Sequence, residues 1–202
     1  MILYYSPGAC LLSPHIVARE AGIPIELEKV NLADHKTETG QDYMTINPKG
    51  YVPALRFDDG SLLTEGPAIV QYLADQKPGS ALVPAAGTLE RYRVQEWLTF
   101  IGTELHKTLG SLFNPATSDE AKATAKTAIA KKLTYLNDQL AKKQYLMGGN
   151  FTVADAYAFT VVNWTNFLGI DLKAYPNLVA YMGRVGGRPK VQEALKAEGL
   201  VK

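Results

Sequence analysis

The sequence has few of the residues that build disulfide frameworks and metal centres. Its 202 residues include one cysteine, Cys10, and three histidines, so no internal disulfide can form and we expect no metal site. No apolar run approaches the ~20 residues of a membrane span, and no basic segment leads into an apolar stretch as in a signal peptide. A lone thiol without a secretion signal favours a reducing cytoplasm.

An excess of one charge sign is also missing. Lys and Arg total 21 and Asp and Glu total 20, which gives a net charge of +1, so neither nucleic acid nor a membrane is expected as a partner. Neither GxGxxG nor GxxxxGK[ST] occurs, so a nucleotide cofactor is not indicated. The hydrophobic share of 47% is that of an ordinary globular protein with room for one or two domains.

Residues 1–80 alternate between strand-like and helix-like segments. In chain order the predicted strands are MILYYS, IELEKVNL, YVPALRF and SLLT, and the predicted helices are HIVAREAG, the short turn DYMTI, and AIVQYLADQ. Ser13 is predicted to cap the first helix, and Glu65-Gly66-Pro67 to open the last one. The order β-α-β, turn, β-β-α predicts a small mixed sheet of four strands with helices packed on it.

From residue 88 onward the pattern is helical. The stretch KPGSALVPAAG before it lacks periodicity, so the predicted organisation is a first domain at 1–80, a linker at 81–87 and a helical domain at 88–202. A long helix is predicted at 88–110. Thr152 and Asp155 have the spacing of a capping box, and the nearly all-apolar AYAFTVVNWTNFL after them predicts a buried central helix.

Cys10 follows a Pro-Gly turn at the mouth of the first predicted helix. A helix N-terminus carries about half a unit of positive charge, and a pKa lowered by about 2 would make most of an ordinary thiol ionise near neutral pH. The sequence therefore predicts a reactive thiolate at Cys10. The alternative is a small buried apolar side chain without a chemical role.

Two further stretches have both a functional and a purely structural reading. A cis Val52-Pro53 bond would turn the Val52 N–H and C=O toward an extended peptide ligand beside the Cys10 loop, although trans is the common form. Glu65 is either a favourable partner of the helix dipole or, with the amide of Gly66, half of a site for a zwitterionic group.

His106 and Lys107 form a third candidate pair, on the predicted 88–110 helix. A His-Lys pair on a helix is usually part of a solvated face, and the residues alone leave that reading open beside a catalytic one. His15 and His35 carry weaker signals.

Taken together, the segments YYSPGAC, SPHI, NPKGYVPAL, LTEGPAIVQYLAD, ELHK and AEGL resemble the bacterial beta class of cytosolic glutathione S-transferases. The similarity covers nearly the whole chain. It implies a thioredoxin-like first domain and an all-helical second one, glutathione as co-substrate with no further cofactor, a hydrophobic co-substrate site against the helical domain, and a homodimer.

The resemblance also implies roles for individual residues. Cys10 would face the glutathione sulfur, with which it can form a mixed disulfide, and Val52 beside a cis Pro53 would pair with the cysteinyl part. Glu65 and Gly66 would take the γ-glutamyl end. The helical-domain residues implied near glutathione are Thr99, Glu104, His106 and Lys107, with Glu104 reaching from the other subunit and His106 assisting catalysis.

Two positions depart from the class pattern. Where the class often has a ligand-binding lysine this chain has His35, with Lys36 beside it, and either could reach the glycyl carboxylate. Where an asparagine is frequent, the shorter Thr99 is expected to need a bridging water. Tyr5 and Ser6 are reserve candidates, because other classes use an early hydroxyl.

Two mechanisms follow for Cys10. In conjugation it stays a thiol and donates a hydrogen bond to the glutathione thiolate, which attacks a hydrophobic electrophile. In thiol-disulfide exchange its own thiolate attacks a glutathione disulfide, and a second glutathione resolves the product. We expect both activities. The alternative is a non-catalytic protein of the same fold that binds ligands or a partner.

Overall fold

The computed structural model describes residues 1–201. The chain forms two compact units. The first comprises Met1–Val83 and the C-terminal residues from Pro189 onward, and the second comprises Pro84–Arg188. The division at Val83 lies in the predicted linker. The last helix, which the sequence assigned to the helical domain, belongs instead to the first unit, because it packs against the first helix of the chain.

The first unit contains a five-stranded mixed sheet. The strands are β1 Ile2–Tyr5, β2 Glu26–Asn31, β3 Lys36–Thr37, β4 Ala54–Arg56 and β5 Leu62–Thr64. Their order is β3-β2-β1-β4-β5, with β1 and β2 parallel and the other neighbours antiparallel. The thioredoxin-like mixed sheet is thus confirmed. β3 was not predicted, because two residues carry no periodicity.

Four helices accompany the sheet: α1 Leu12–Ala21, α2 Tyr43–Ile46, α3 Gly66–Asp75 and α9 Pro189–Ala197. A 3₁₀ turn follows α3 at Pro78–Ser80. Side chains alternate across the strands, so Leu3 and Tyr4 are both fully buried but on opposite faces. Tyr4 belongs to a cluster with Val30, Tyr43, Val52 and Ala54, which holds the segment before β4 against the sheet.

α1 begins earlier than the sequence predicted. Its N-cap position is Leu11, and Ser13 lies inside the first turn, where its hydroxyl donates to the Cys10 carbonyl at 2.9 Å instead of capping the helix. Gly22 ends α1 in the left-handed conformation (φ 65°), which glycine adopts most readily at a helix C-terminus. Cys10 therefore lies two residues before the helix, nearer to its start than a cap at Ser13 would have placed it.

The second unit is helical. Its helices are α4 Leu89–Phe100, α5 Lys107–Leu112, α6 Asp119–Gln139, α7 Val153–Phe167 and α8 Pro176–Gly186. The predicted single helix at 88–110 is interrupted by a π-helical segment, Ile101–His106, between α4 and α5. Such segments occur often at functional sites, and this one contains two candidate residues, Glu104 and His106.

α7 is the buried central helix that the sequence predicted, and its capping box is confirmed. The fully buried Asp155 carboxylate accepts hydrogen bonds from the Thr152 N–H and hydroxyl at 2.8 and 2.9 Å. It also accepts from the Leu146 N–H at 2.8 Å and the Tyr181 hydroxyl at 3.1 Å. These four donors anchor the start of α7, which carries Tyr157 and Trp164 toward His106.

Candidate active site

Cys10 lies in the loop between β1 and α1, facing the segment before β4. Its thiol donates a hydrogen bond to the Val52 carbonyl, with the sulfur 3.4 Å from the oxygen. The Cys10 carbonyl accepts from the Ser13 N–H at 3.3 Å. The loop therefore presents one sulfur, partly buried, beside the backbone of Val52.

The ionisation of Cys10 differs from the sequence prediction. Burial raises the pKa of the thiol to about 12, and the negative charge of Glu65 adds to the increase. The prediction of a lowered pKa is wrong, because burial removes more of the thiol's hydration than the loop amides replace. Near neutral pH the residue is a neutral thiol and a hydrogen-bond donor.

The Val52-Pro53 peptide bond is cis. Within residues 1–201 the Val52 N–H takes part in no hydrogen bond, while the Val52 carbonyl accepts from Cys10. A Cβ added to Gly66 would meet the Pro53 ring at 3.9 Å, so the start of α3 lies directly beside this bond. Val52, Pro53 and Gly66, all predicted to bind glutathione, thus lie together beside Cys10.

Glu65 has an unusual backbone conformation, with φ at 72° at the N-cap of α3. Its carbonyl accepts the N–H groups of Ala68 and Ile69 at 3.0 Å, which begins the helix. A non-glycine residue held in the left-handed region is costly and is found most often where a site requires it.

The Glu65 carboxylate is held by two residues that sequence reasoning missed. The Lys49 ammonium lies 2.6 Å from Oε1, and the Tyr51 hydroxyl donates to the same oxygen at 3.2 Å. The hydrogen bond to Glu65 raises the pKa of Lys49. The Glu65 side chain is 57% exposed, so a ligand can reach its carboxylate. Both partners belong to NPKGYVPAL, but no local pattern links them to Glu65.

The structure distinguishes His35 from Lys36. The His35 ring lies 3.2 Å from the position a Cβ at Gly50 would take, two residues before Val52 in the chain. His35 Nδ1 is buried without a hydrogen-bond partner among residues 1–201. Lys36 belongs to β3 and lines a different surface hollow, shared with Lys29 and Asp34. Of the two residues, His35 is the one placed against Gly50.

In the second unit, His106 is held by an aromatic cluster. Its Nδ1 lies 2.6 Å from the Tyr157 hydroxyl, and its ring meets Trp164 edge-on at 4.8 Å between centroids. Trp164 in turn packs edge-on against Phe113 at 5.7 Å. Tyr157 was not singled out from the sequence, where it reads as one more apolar-face residue of α7.

The remaining predicted residues of the second unit lie on or beside the π-helical segment. Thr99 is exposed, and its hydroxyl donates to the Gln95 carbonyl at 2.8 Å. Lys107 is exposed as well. Glu104 Oε2 lies 2.7 Å from the Lys132 ammonium, which also donates to the Glu104 carbonyl at 3.0 Å. Lys132 thereby satisfies one of the carbonyls of the π-helical segment, a role the sequence did not indicate.

The reserve candidates lie close to Cys10 in the chain. Tyr5 ends β1 and is partly buried, and burial raises its pKa. The Ser6 carbonyl accepts the Ala9 N–H at 3.1 Å in the turn before Cys10. No group of three or more His, Cys, Asp or Glu side chains in the described part of the chain could hold a metal ion. Across residues 1–201, no helix is both long enough and apolar enough to cross a bilayer.

Two family models match this chain. The model of the glutathione S-transferase N-terminal domain covers residues 11–76, and that of the C-terminal domain covers residues 100–189. Glutathione S-transferase GstA of Escherichia coli O157:H7 is 47% identical over 200 residues, which cover 99% of this chain and 100% of the relative. The chain therefore belongs to the glutathione S-transferase family.

Solved structures place it among the bacterial beta-class members, as the sequence predicted. A sphingomonad glutathione S-transferase complexed with glutathione has a TM-score of 0.96 and 51% identity, with 100% of both chains covered. The bacterial beta-class enzyme of Sphingomonas chungbukensis has a TM-score of 0.96 and 53% identity, again with 100% of both chains covered.

Proposed function

We propose that this protein transfers glutathione to hydrophobic electrophiles, with Cys10 acting as a neutral hydrogen-bond donor to the glutathione thiolate. The observation that carries the proposal is the Cys10 thiol, which is 3.4 Å from the Val52 carbonyl and has a pKa of about 12. A thiol already oriented as a donor can turn from Val52 to a sulfur anion that docks beside it. The glutathione sulfur remains the nucleophile.

Charge repulsion gives this division of roles its physical basis. Two thiolates about 3.5 Å apart would repel by roughly 4–5 kcal/mol at an effective dielectric of about 20. The pair therefore holds one negative charge and titrates as a unit. Because burial and Glu65 disfavour an anion on Cys10, the charge resides on glutathione.

Glutathione binding is assigned to the residues around Cys10. The Val52 N–H and C=O pair with the cysteinyl backbone. The γ-glutamyl ammonium binds the Glu65 carboxylate, and its carboxylate binds the Gly66 amide at the start of α3. We assign the glycyl carboxylate to His35 rather than Lys36, because His35 lies against Gly50, two residues before Val52, whereas Lys36 lines a separate hollow.

The hydrophobic co-substrate is assigned to the aromatic surface of the second unit. Phe113 and Phe167 are 47% and 59% exposed, and Phe113 packs on Trp164, which contacts His106. An exposed aromatic surface beside a histidine suits an aryl electrophile whose leaving group gains charge. His106, with its Nδ1 bonded to Tyr157, assists by donating from Nε2. Thr99 and Lys107, both exposed, stay assigned to glutathione.

Thiol-disulfide exchange is proposed as a second activity. The Cys10 thiolate attacks one sulfur of a glutathione-containing disulfide, forms a mixed disulfide and releases the other sulfur as a thiolate that takes up a proton. A second glutathione thiolate then attacks the mixed disulfide, which releases Cys10 and yields glutathione disulfide. This route requires Cys10 to ionise, which burial disfavours, so we expect it to be slower than conjugation.

A homodimer is also proposed, in which Glu104 reaches toward the glutathione of the partner. In its support, Glu104 is exposed on the π-helical segment, and Lys132 holds its carboxylate in a fixed orientation. Sedimentation of the native chain measures the mass of the assembly directly.

Retention on immobilised glutathione, followed by turnover of an aryl halide, tests the proposed function. We expect retention and turnover, and we expect Cys10→Ala to lose much more disulfide exchange than conjugation. Binding without turnover of any electrophile would favour a non-catalytic binding protein. Full exchange activity in Cys10→Ala would remove the role given to Cys10.

A further inference from the structure

The C-terminal end of the chain reaches the loop that carries Cys10. α9 packs against α1, and the residue that follows it, Glu198, points into the first unit. The side chains of Glu198 and His15 are both 0% exposed, and His15 Nδ1 lies 3.0 Å from Glu198 Oε1. A fully buried carboxylate is costly unless every oxygen has a donor, so its partners indicate what it holds in place.

Hydrogen-bond chemistry fixes the protonation of this pair. Arg19 Nε donates to His15 Nε2 at 3.2 Å, and an arginine nitrogen can only donate. His15 Nε2 is therefore the acceptor, and the proton of the neutral ring is on Nδ1. That N–H donates to Glu198 Oε1, so the chain of contacts runs from the Arg19 cation through a neutral imidazole to the Glu198 anion.

The second oxygen of Glu198 binds the catalytic loop. The Gly8 N–H donates to Oε2 at 3.3 Å, and Gly8 has a φ of 74°, in the turn two residues before Cys10. A Cβ at Gly8 would touch Leu200 at 3.4 Å, so the C-terminal residues also contact this turn through an apolar side chain. One carboxylate thus joins α1, through His15, to the loop that leads to the sulfur.

We propose that Glu198 is a positioning residue for Cys10: the C-terminal segment holds the loop so that the thiol stays sheltered against Val52. The proposal rests on the proposed role of Cys10 for its catalytic meaning. The claim that Glu198, 188 positions away in the chain, controls the exposure and reactivity of the Cys10 sulfur does not depend on that role.

Glu198→Gln keeps the size of the side chain but removes its charge and one of its two acceptor oxygens. An amide has one acceptor oxygen and one donor nitrogen, whereas both neighbours of Glu198, His15 Nδ1–H and the Gly8 N–H, are donors. If the amide oxygen faces His15, its NH₂ opposes the Gly8 N–H. If the amide is flipped, His15 must move its proton to Nε2, which then opposes Arg19. Either orientation loses one bond, and the Gly8 bond is the less costly to break because its 3.3 Å distance is the longer.

The test is the rate at which iodoacetamide alkylates Cys10, the only cysteine, in ligand-free protein at a fixed pH near 7.5 and well below the unfolding transition. We expect Glu198→Gln to react at least about fivefold faster, because a released loop exposes the sulfur. Leu200→Ala, which removes the apolar contact with Gly8, is expected to accelerate the reaction less and serves if Glu198→Gln does not fold.

Asp155→Asn is the matched control. It removes charge from another buried and fully bonded carboxylate, in the second unit, and it should lower stability while leaving the alkylation rate unchanged. Wild-type alkylation rates in both Glu198→Gln and Leu200→Ala would overturn the proposal, and so would equal acceleration in the control. Because the measurement uses no glutathione, its result for Glu198 does not depend on the result of the transferase assay.

Discussion

At the scale of single residues, the ionisation of Cys10 decides which of the two proposed activities is the easier one. Its location in a turn before the first helix could be predicted from the sequence, because a Pro-Gly turn before a helix is a local feature. Its pKa could not, since desolvation depends on neighbours such as Val52 and Glu65 that are distant in the chain. The helix-end rule was overridden by burial.

The first prediction follows from this pKa. For a pKa of about 12, only about 1 thiol in 30,000 is ionised at pH 7.5, against about 3% for a pKa of 9.0. Alkylation of the native, ligand-free protein should therefore be slow and should rise steadily from pH 6 to pH 10 without levelling off. The alkylation rate at each pH is measured by quenching the reaction at set times and analysing the protein by mass spectrometry. A plateau below pH 8 would show an activated thiolate.

A second prediction compares two neighbouring residues. Loss of a hydrogen bond to a charged ligand group costs roughly tenfold in binding, so His35→Ala should raise the KM for glutathione about tenfold. Lys36→Ala, the control, should change the KM less than twofold, because Lys36 lines a separate hollow. Steady-state kinetics at saturating electrophile provide both values. The opposite ranking would assign the glycyl carboxylate to Lys36.

At the scale of elements, features set by neighbouring residues could be predicted from the sequence. Irregular features that involve distant contacts could not. The capping box at Thr152–Asp155 could be predicted because its two bonds close within four residues. The π-helical segment Ile101–His106 could not, because no local pattern marks it and its contact with Lys132 on α6, which donates to the Glu104 carbonyl, is distant in the chain. The same sequence reads as a continuous helix.

The capping box gives a third prediction. Asp155→Ala leaves the Leu146 and Thr152 N–H groups buried without acceptors, and each such loss costs about 1–3 kcal/mol. We expect the free energy of unfolding to fall by roughly 2–5 kcal/mol, as measured by chemical denaturation. Asp119→Ala, at the exposed start of α6, should cost less than about 1 kcal/mol. Equal effects of the two changes would contradict this account.

A fourth prediction concerns the element that holds His106. Tyr157→Phe keeps the ring and removes the hydroxyl bonded to Nδ1, so His106 loses its preferred orientation. We expect kcat/KM for conjugation to fall about five- to tenfold with little change in glutathione binding. Tyr175→Phe removes another hydroxyl of the second unit, bonded to the Ala130 carbonyl, and should leave kcat/KM unchanged. Matching effects in both variants would make the Tyr157 bond incidental.

At the scale of the whole molecule, the resemblance predicted the fold more completely than periodicity did. Alternation and helix signals indicated a four-stranded sheet followed by helices. They did not indicate that the chain returns to its first unit at Pro189, because the contact between His15 and Glu198 spans 183 positions. The segment AEGL contributed to the resemblance, and the structure supplies a physical reason for it in the buried Glu198.

The most direct test of the central claim is a count of thiolates in the glutathione complex. Ultraviolet difference spectra, recorded while glutathione is titrated into the protein between pH 6 and pH 8, report the number of sulfur anions formed per site. The predicted result is one thiolate per bound glutathione in the native protein, and one that forms only at higher pH in Cys10→Ala, where the donor to the glutathione sulfur is missing. Two thiolates per site in the native protein and one in Cys10→Ala would contradict the account, because Cys10 would then be an anion beside glutathione.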